Sequence, residues 1–401
     1  MGDLAKKLKR SLPAWPRRRY SIFSGTNTTG EWRTIFLHWI SWRTADEESV
    51  IARYESAFAN RVSVKHAVSF GAGRMALYAI LEALGIGEGD EVIVPTITFI
   101  APVNAITYNG ADPVFMDSDY YYNIDVIKTI EFINKETIFK DGFTYNKKTD
   151  RRITAIIPVH VFGHAVWLDE LIQLCEDRNI SIVEDAAESM GSHYTIGEYS
   201  GKHTGTIGKL GCLSFNGNKI MTTGGGGMVL TDDEQLADSA KYLTNQAKND
   251  GVRYIHNEIG YNFRLSNIQA ALGVAQLKQL PVFLKRKREI FSRYQTAVDS
   301  IAGLTLAGVP DYANNNHWIN ILGIDQDVYG RDRETLMSYL KTKGIQTRPV
   351  WYPNHLQKPY KNCQHYNIER ANKLVDISLC LPSSNRLSDE EISIIVSALN
   401  G

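Results

Sequence analysis

Between about residues 60 and 235, short β-branched runs alternate with amphipathic helical stretches, and no other feature restricts the fold as much. The pattern predicts strands over 64–70, 91–95, 112–116, 152–160 and 180–184, with helices over 74–84, 101–108 and 168–177 between them. Parallel strands need crossovers long enough to hold a helix, so this order calls for a mostly parallel sheet covered by helices. Two more runs, 212–216 and 227–231, flank a Gly-rich bend and read as paired strands. From Ser266 to about Thr296 the periodicity turns helical, with Gln269, Leu272, Ala275, Gln276 and Leu280 marking one long helix that bridges two units. The last hundred residues mix strands (318–324, 344–349) with helices (333–343, 369–377, 389–399), and Ser388 with Glu391 forms a capping box for the last helix. The expected organisation is a basic and aromatic N-terminal arm over 1–45, a large α/β domain over 46–275 and a smaller α+β domain over 276–401.

The 44 Lys+Arg are balanced by 44 Asp+Glu, so no global field marks nucleic acid as a partner. The balance hides a basic arm. Residues 1–20 carry Lys6, Lys7, Lys9, Arg10, Arg17, Arg18 and Arg19 against Asp3 alone, a net of +6. Leu4, Leu8 and Leu12 recur every four residues beside those cations. That spacing suits an amphipathic helix on an anionic membrane or a solvated, subunit-clasping tail, and the tail is preferred. No apolar run reaches the length of a membrane span and the N-terminus lacks a secretory apolar core, which makes the cytoplasm the expected compartment. Cys175, Cys212, Cys363 and Cys380 are widely spaced, with no pairing that indicates a disulfide framework or a metal site.

Chemistry concentrates in Ser214-Phe215-Asn216-Gly217-Asn218-Lys219, followed by Thr222, Thr223 and Gly224 to Gly227. A phosphate-binding P-loop requires its glycines before the lysine and Ser or Thr after it, whereas here Ile220 follows and the glycines come later. A lysine held between a strand and a glycine-permitted bend instead presents one amine at a defined depth, as Schiff-base catalysis on pyridoxal phosphate requires. That cofactor also needs a carboxylate beside its ring nitrogen. Asp185 follows the β-branched run Ile182-Val183 and so sits at the carboxyl edge of the sheet, where ligand crevices open; its plainer role is to cap the next segment. Gly71 to Arg74 lie between a strand and a helix, fit either to cradle a phosphate or to make a tight turn. Phe99, after another strand, offers a flat face for the ring or a core side chain.

Ordered motifs from about residue 46 to the C-terminus carry a resemblance. They are Gly73 to Leu77, Ile86 to Ile93 with Pro95, Ala111 to Asp117, Ile157 to Gly163, Glu184 to Ala187, Ser214 to Lys219, Gly260 to Arg264 with Gln269 to Ala271, and Thr347 to Trp351. The chain resembles the DegT/DnrJ/EryC1/StrS family of pyridoxal-phosphate-dependent sugar aminotransferases. The resemblance implies a fold-type-I α/β architecture like aspartate aminotransferase, with a large mixed, mostly parallel sheet domain and a smaller C-terminal α+β domain. It implies that Lys219 binds the cofactor aldehyde, that Asp185 pairs with the ring nitrogen, that Ser214 and the Gly73-Arg74 turn hold the phosphate, and that Phe99 stacks on the ring. It also implies that Asn262 reaches the cofactor phosphate of a neighbouring subunit, hence an obligate homodimer with shared sites. Arg74 stands where the family usually has Thr, and Glu188, beside the cofactor's ring hydroxyl, where most members have Gln. His317, Trp318, Arg348 and Trp351 lie where relatives contact the sugar nucleotide; a half-buried Trp and a surface ion pair are the plainer alternatives. His160 is either a substrate contact or a satisfied core histidine.

The activity implied is transfer of an amino group from L-glutamate to the C4 keto group of a nucleotide-linked 4-keto-6-deoxy sugar, of UDP-N-acetyl or GDP type, for glycan or polysaccharide biosynthesis. Its rivals are C3 amination of a dTDP-keto sugar, amination of a ketone outside nucleotide sugars, and a non-catalytic pyridoxal-phosphate scaffold or sensor.

Overall fold

The structure is a computed structural model and describes residues 49–401. The basic arm, and with it the suggested membrane contact, lies outside the described residues. The chain enters helix α1 (Val50–Val62), capped by the Ser49 side chain on Ala52 N–H, and then strand β1 (His66–Phe70). Helix α2 (Gly73–Ala83), β2 (Asp90–Pro95), α3 (Ile100–Tyr108), β3 (Asp112–Met116), β4 (Arg152–Ile156) and β5 (Ser181–Asp185) follow, then the hairpin β6 (Leu210–Ser214) and β7 (Gly227–Thr231).

These strands form one sheet in the order β1-β7-β6-β5-β4-β2-β3, extended by His365–Tyr366 beside β3. Of these strands β7 alone runs against its neighbours, with Gly227 paired to Ser214 and Phe70 on its two sides, while Phe143–Asn146 joins β4 antiparallel from outside the row. The sheet is therefore mixed and mostly parallel, as expected. Its continuous apolar runs are explained by burial on both faces. In β2, Val92 and Val94 join the apolar layer containing Tyr54, Phe58, Leu77 and Ile80, while Ile93 turns into the opposite layer with Val114, Ile156, Ile182 and Leu171. Burying each such side chain contributes roughly 1.5–3 kcal/mol.

The helix Asn267–Val298 starts at a capping box of Ser266 and Gln269. Its N-terminal half packs on the large sheet's apolar layer, and its C-terminal half supplies Ile290, Tyr294 and Val298 to a separate core. That second core lies under the antiparallel sheet Leu304–Leu306, Asn320–Ile324, Ser378–Leu381 and Arg348–Pro349. Inside the stretch 276–401 the chain also returns to the large sheet at His365–Tyr366.

The strands predicted over 64–70 and 318–324 begin two residues late, at His66 and Asn320, and two others are cut back further. The run 152–160 stops at Ile156, before Pro158, which has no N–H to give a ladder. The run 344–349 is reduced to Arg348–Pro349, because Gly344, at φ 78, still belongs to the turn that closes the preceding helix. Among the described residues, no helix is long and apolar enough to cross a membrane.

Candidate active site

Strands that point the same way bring their carboxyl ends to one edge, so β5 delivers Asp185, β6 delivers Ser214, and the turn after β1 delivers Gly73 to a single crevice. The crevice is a cavity of about 600 Å3, within the usual range for small-molecule sites.

Lys219 stands in the loop between β6 and β7. The loop is closed by hydrogen bonds from Phe215 N–H to Gly226 O (2.8 Å) and from Thr223 N–H to Phe215 O (2.9 Å). The long helix fastens it from outside: Gln269 Nε2 donates to Gly225 O at 3.0 Å, and Gln276 Oε1 accepts Thr222 N–H at 3.1 Å. Beneath it, Phe215 meets Phe58 and Tyr54 edge-on at 5.4 and 5.8 Å. Gly273 of the long helix is what admits Tyr54, since a Cβ there would lie 2.5 Å from the phenol ring. The amine itself has two flanks. Lys219 Nζ lies 4.0 Å from the centroid of the Trp318 ring and 3.5 Å from Glu188 Oε1. Trp318 is fixed by its indole N–H on Asn218 O (2.8 Å) and by its backbone N–H on Asn316 Oδ1 (2.9 Å). Asn316 Nδ2 in turn donates to the Glu188 carbonyl at 2.8 Å, so one buried amide ties both flanks of the lysine together.

Two acids face this amine. Burial pushes the Asp185 carboxyl above the usual carboxylate range, against the opposing Ala187 N–H (3.0 Å to Oδ1) and the Lys219 ammonium. Glu188 is pushed up to about 7, first by burial and also by Asp185, with the ammonium and the Phe162 N–H opposing.

Opposite them lies an anion cradle. The N-cap of α2, Ala72, offers no side-chain acceptor, which leaves the helix-start N–H groups to a ligand. A Cβ on Gly73 would stand 2.9 Å from Ser214 Cβ and 3.1 Å from Leu213 O, so only glycine allows the backbone so close to the serine. Arg74 is exposed on the same wall. An anion cradle, one amine and a buried carboxylate around one cavity fit the phosphate, aldehyde and ring nitrogen of pyridoxal phosphate.

The remaining wall is aromatic. Phe99, 53% exposed, meets Trp351 edge-on at 6.4 Å, and Arg348 lies beside them. Asn354 braces the loop that carries Phe99: its N–H and Nδ2 donate to Thr96 O (2.9 and 3.1 Å), and Nδ2 also donates to Thr98 O (2.8 Å).

Of the residues expected from the sequence, Lys219, Gly73, Arg74, Phe99, Asp185, Glu188, Ser214, Trp318, Arg348 and Trp351 line this cavity, and three do not. His160 is fully buried with both ring nitrogens occupied. Its Nδ1 accepts Val166 N–H at 3.1 Å, which leaves Nε2 to donate to Glu184 Oε2 at 2.8 Å. It is a core histidine, and the expected substrate contact is corrected. His317 stacks on Phe291 at 4.1 Å, off the cavity, and burial beside Arg288 and Lys287 holds it at about 4. Asn262 is exposed and bridges to Asn245, away from the cavity of its own chain. Phe162, Asn316 and Asn354 were not singled out by the sequence, although Phe162 precedes a glycine and Asn316 ends an Asn run. Among the described residues, no group of three or more His, Cys, Asp and Glu is placed to hold a metal ion.

The chain is similar to known proteins over most of its length. The model of the DegT/DnrJ/EryC1/StrS aminotransferase family matches residues 41–400. GDP-perosamine synthase of Escherichia coli O157:H7 is 37% identical over 363 residues, covering 90% of this chain and 91% of the relative. GDP-perosamine synthase of Caulobacter vibrioides is 33% identical over 352 residues, covering 87% and 89%. The crystal structure of a DegT DnrJ EryC1 StrS aminotransferase from Brucella abortus superposes with a TM-score of 0.82 at 26% identity, covering 92% of this chain and 94% of that one.

Proposed function

The chain belongs to the DegT/DnrJ/EryC1/StrS aminotransferase family and is a pyridoxal-phosphate-dependent enzyme; from that premise we propose that it moves an amino group from L-glutamate to the C4 keto group of a nucleotide-linked 4-keto-6-deoxy sugar. The observation that carries the acceptor is the likeness to GDP-perosamine synthases along about nine-tenths of the chain. Support comes from the cavity wall, where the planar fork of Arg348 suits a diphosphate and Trp318 and Trp351 offer flat faces.

Bound pyridoxal phosphate supplies an aldehyde carbon and a protonated ring that draws off the electron pair of a breaking C–H bond. In this function Lys219 presents its amine to that aldehyde from between Trp318 and Glu188. Asp185 keeps the ring nitrogen protonated, and the cation it gains there offsets the burial that otherwise raises its pKa. Ser214 and the N–H groups at Gly73 and Arg74 hold the phosphate, and Phe99 covers the ring. Lys219 Nζ takes the proton from the α-carbon of L-glutamate. Glycan or polysaccharide biosynthesis is the use this product suits.

The exposed Asn262 lies in a stretch that also exposes Val252, Tyr254, Ile259 and Ile268. A homodimer in which this stretch meets the partner's cavity accounts for both, and sedimentation of wild type and Asn262→Asp tests it.

The acceptor is tested with 15N-labelled L-glutamate and GDP- or UDP-linked 4-keto-6-deoxyhexoses in turn, with the product read by nuclear magnetic resonance. Label bonded to C4 of one sugar supports the proposal. Label at C3 of a dTDP-keto sugar, label only on a ketone without a nucleotide, or no transfer to any ketone contradicts it.

A further inference from the structure

We propose that Glu188 is a catalytic acid–base residue paired with Lys219, taking at Oε1 the proton that the Lys219 ammonium must lose before its amine can attack, and returning it afterwards. This deepens the function proposed above and rests on its assignment of Lys219.

The geometry aims the carboxyl at the amine. Glu188 Oε2 is occupied by the Phe162 N–H at 2.9 Å, which leaves Oε1 turned to Lys219 Nζ at 3.5 Å. The Asn316 amide fixes both ends of the arrangement, through the Glu188 carbonyl and the Trp318 N–H. At 3.5 Å the contact is at the long end of hydrogen bonding, as is common in sites without their ligand.

The surrounding charges select Glu188 rather than Asp185 as the proton carrier. Lys219 faces Glu188 from the loop after β6, Asp185 from the end of β5, and the Cys380 thiol from the strand Ser378–Leu381, with Arg74 and Arg348 farther out on the cavity wall. Burial pushes the thiol up to about 12, which keeps it neutral. One partly buried ammonium therefore stands against two buried carboxylates, an arrangement that drives their proton affinities apart. Asp185 must stay ionised to serve a ring cation, so the proton falls to Glu188. The step balances without any further reactant. An N–H bond of the ammonium breaks, an O–H bond forms on Oε1, and the ion pair becomes an amine and a carboxylic acid, removing two charges from a desolvated site. A glutamine here, the residue the family resemblance leads one to expect, neither takes up nor gives up a proton near neutral pH.

The test is infrared titration of the full chain before it is loaded with cofactor, in wild type and Glu188→Gln. The inference expects a carboxylic-acid C=O band that titrates near neutral pH and is lost in the variant. Asp119, which burial also pushes up to about 7, contributes a band that both proteins share and that cancels in the difference. It further expects that pyridoxal phosphate added at pH 7 is captured on the order of tenfold or more slowly by Glu188→Gln, the low end of what a positioned acid or base contributes. Should Glu188→Gln fail to fold, Lys219→Met serves, and the acid band must then move to higher pH because the facing ammonium is gone. No band lost in Glu188→Gln, or unchanged capture, or no band moved in Lys219→Met, overturns the inference. None of these measurements uses a sugar nucleotide, so an error in the acceptor leaves them all unchanged.

Discussion

Phe162 lies flat on Trp351, ring centroids 4.5 Å apart and planes 20° from parallel, while its own N–H holds Glu188 Oε2. The stack joins the loop after β4 to the strand end that carries Arg348, so the aromatic wall and the acid beside the lysine share one residue. Phe162 adopts φ 55 and ψ 16, a left-handed conformation that costs a side-chain-bearing residue about 1–2 kcal/mol. The stack and the hydrogen bond are what hold it there.

Phe162→Ala and Trp351→Ala should therefore couple. A stacked pair is worth roughly 0.5–1.5 kcal/mol beyond its buried area, and urea unfolding of both single variants and the double variant should return an interaction energy of that size. Strictly additive losses would show that the rings do not support each other.

Gly73→Ala should spare the fold and damage cofactor binding. The new Cβ meets Ser214 Cβ at 2.9 Å and Leu213 O at 3.1 Å, so α2 and β6 must move apart at the phosphate cradle. Overpacking of this kind costs about 1–3 kcal/mol, or roughly tenfold to a hundredfold in affinity if it is all expressed on the ligand. Fluorescence titration with pyridoxal phosphate measures it; an unchanged dissociation constant would place the phosphate elsewhere.

His317 predicts a pH effect on stability and none on substrate binding. Its folded pKa, about 4, lies below the ordinary value of 6.5, so the unfolded chain binds a proton first as pH falls. The stability tied to its neutral form is present above pH 6.5 and is lost as pH drops towards 4, on the order of 3 kcal/mol. Asn tolerates the left-handed φ of 50 at this position. His317→Asn should thus lose less unfolding free energy between pH 7 and pH 5 than wild type, with the same KM for the sugar nucleotide. A raised KM would return His317 to the binding site.

The contrast between Lys219 and His317 marks how far the sequence could be read. An acid directly after a β-branched strand, a lysine ahead of a glycine bend and a glycine between strand and helix are local signals, and they converge because parallel strands end at one edge. Whether a histidine near a strand end faces a cavity or the core depends on partners from distant segments. Glu184 captures His160 and Phe291 captures His317, and nothing near either histidine announces it. Asn316 and Asn354 act only by tying loops together across the fold, so no spacing pattern marks them. The strand after Arg152 ends early for a reason that is local, the missing N–H of Pro158, which the β-branched run before it obscures.

The central claim is that Lys219 binds pyridoxal phosphate and that the enzyme passes an amino group from L-glutamate to a nucleotide-linked keto sugar. The most direct measurement is the visible absorption of the purified protein with pyridoxal phosphate, before and after L-glutamate, and then with GDP- and UDP-linked 4-keto-6-deoxy sugars in turn. The account predicts a band that is absent in Lys219→Ala, bleaches with glutamate and returns with one sugar nucleotide. A wild-type protein that forms no such band, or a Lys219→Ala protein that transaminates at full rate, would contradict it.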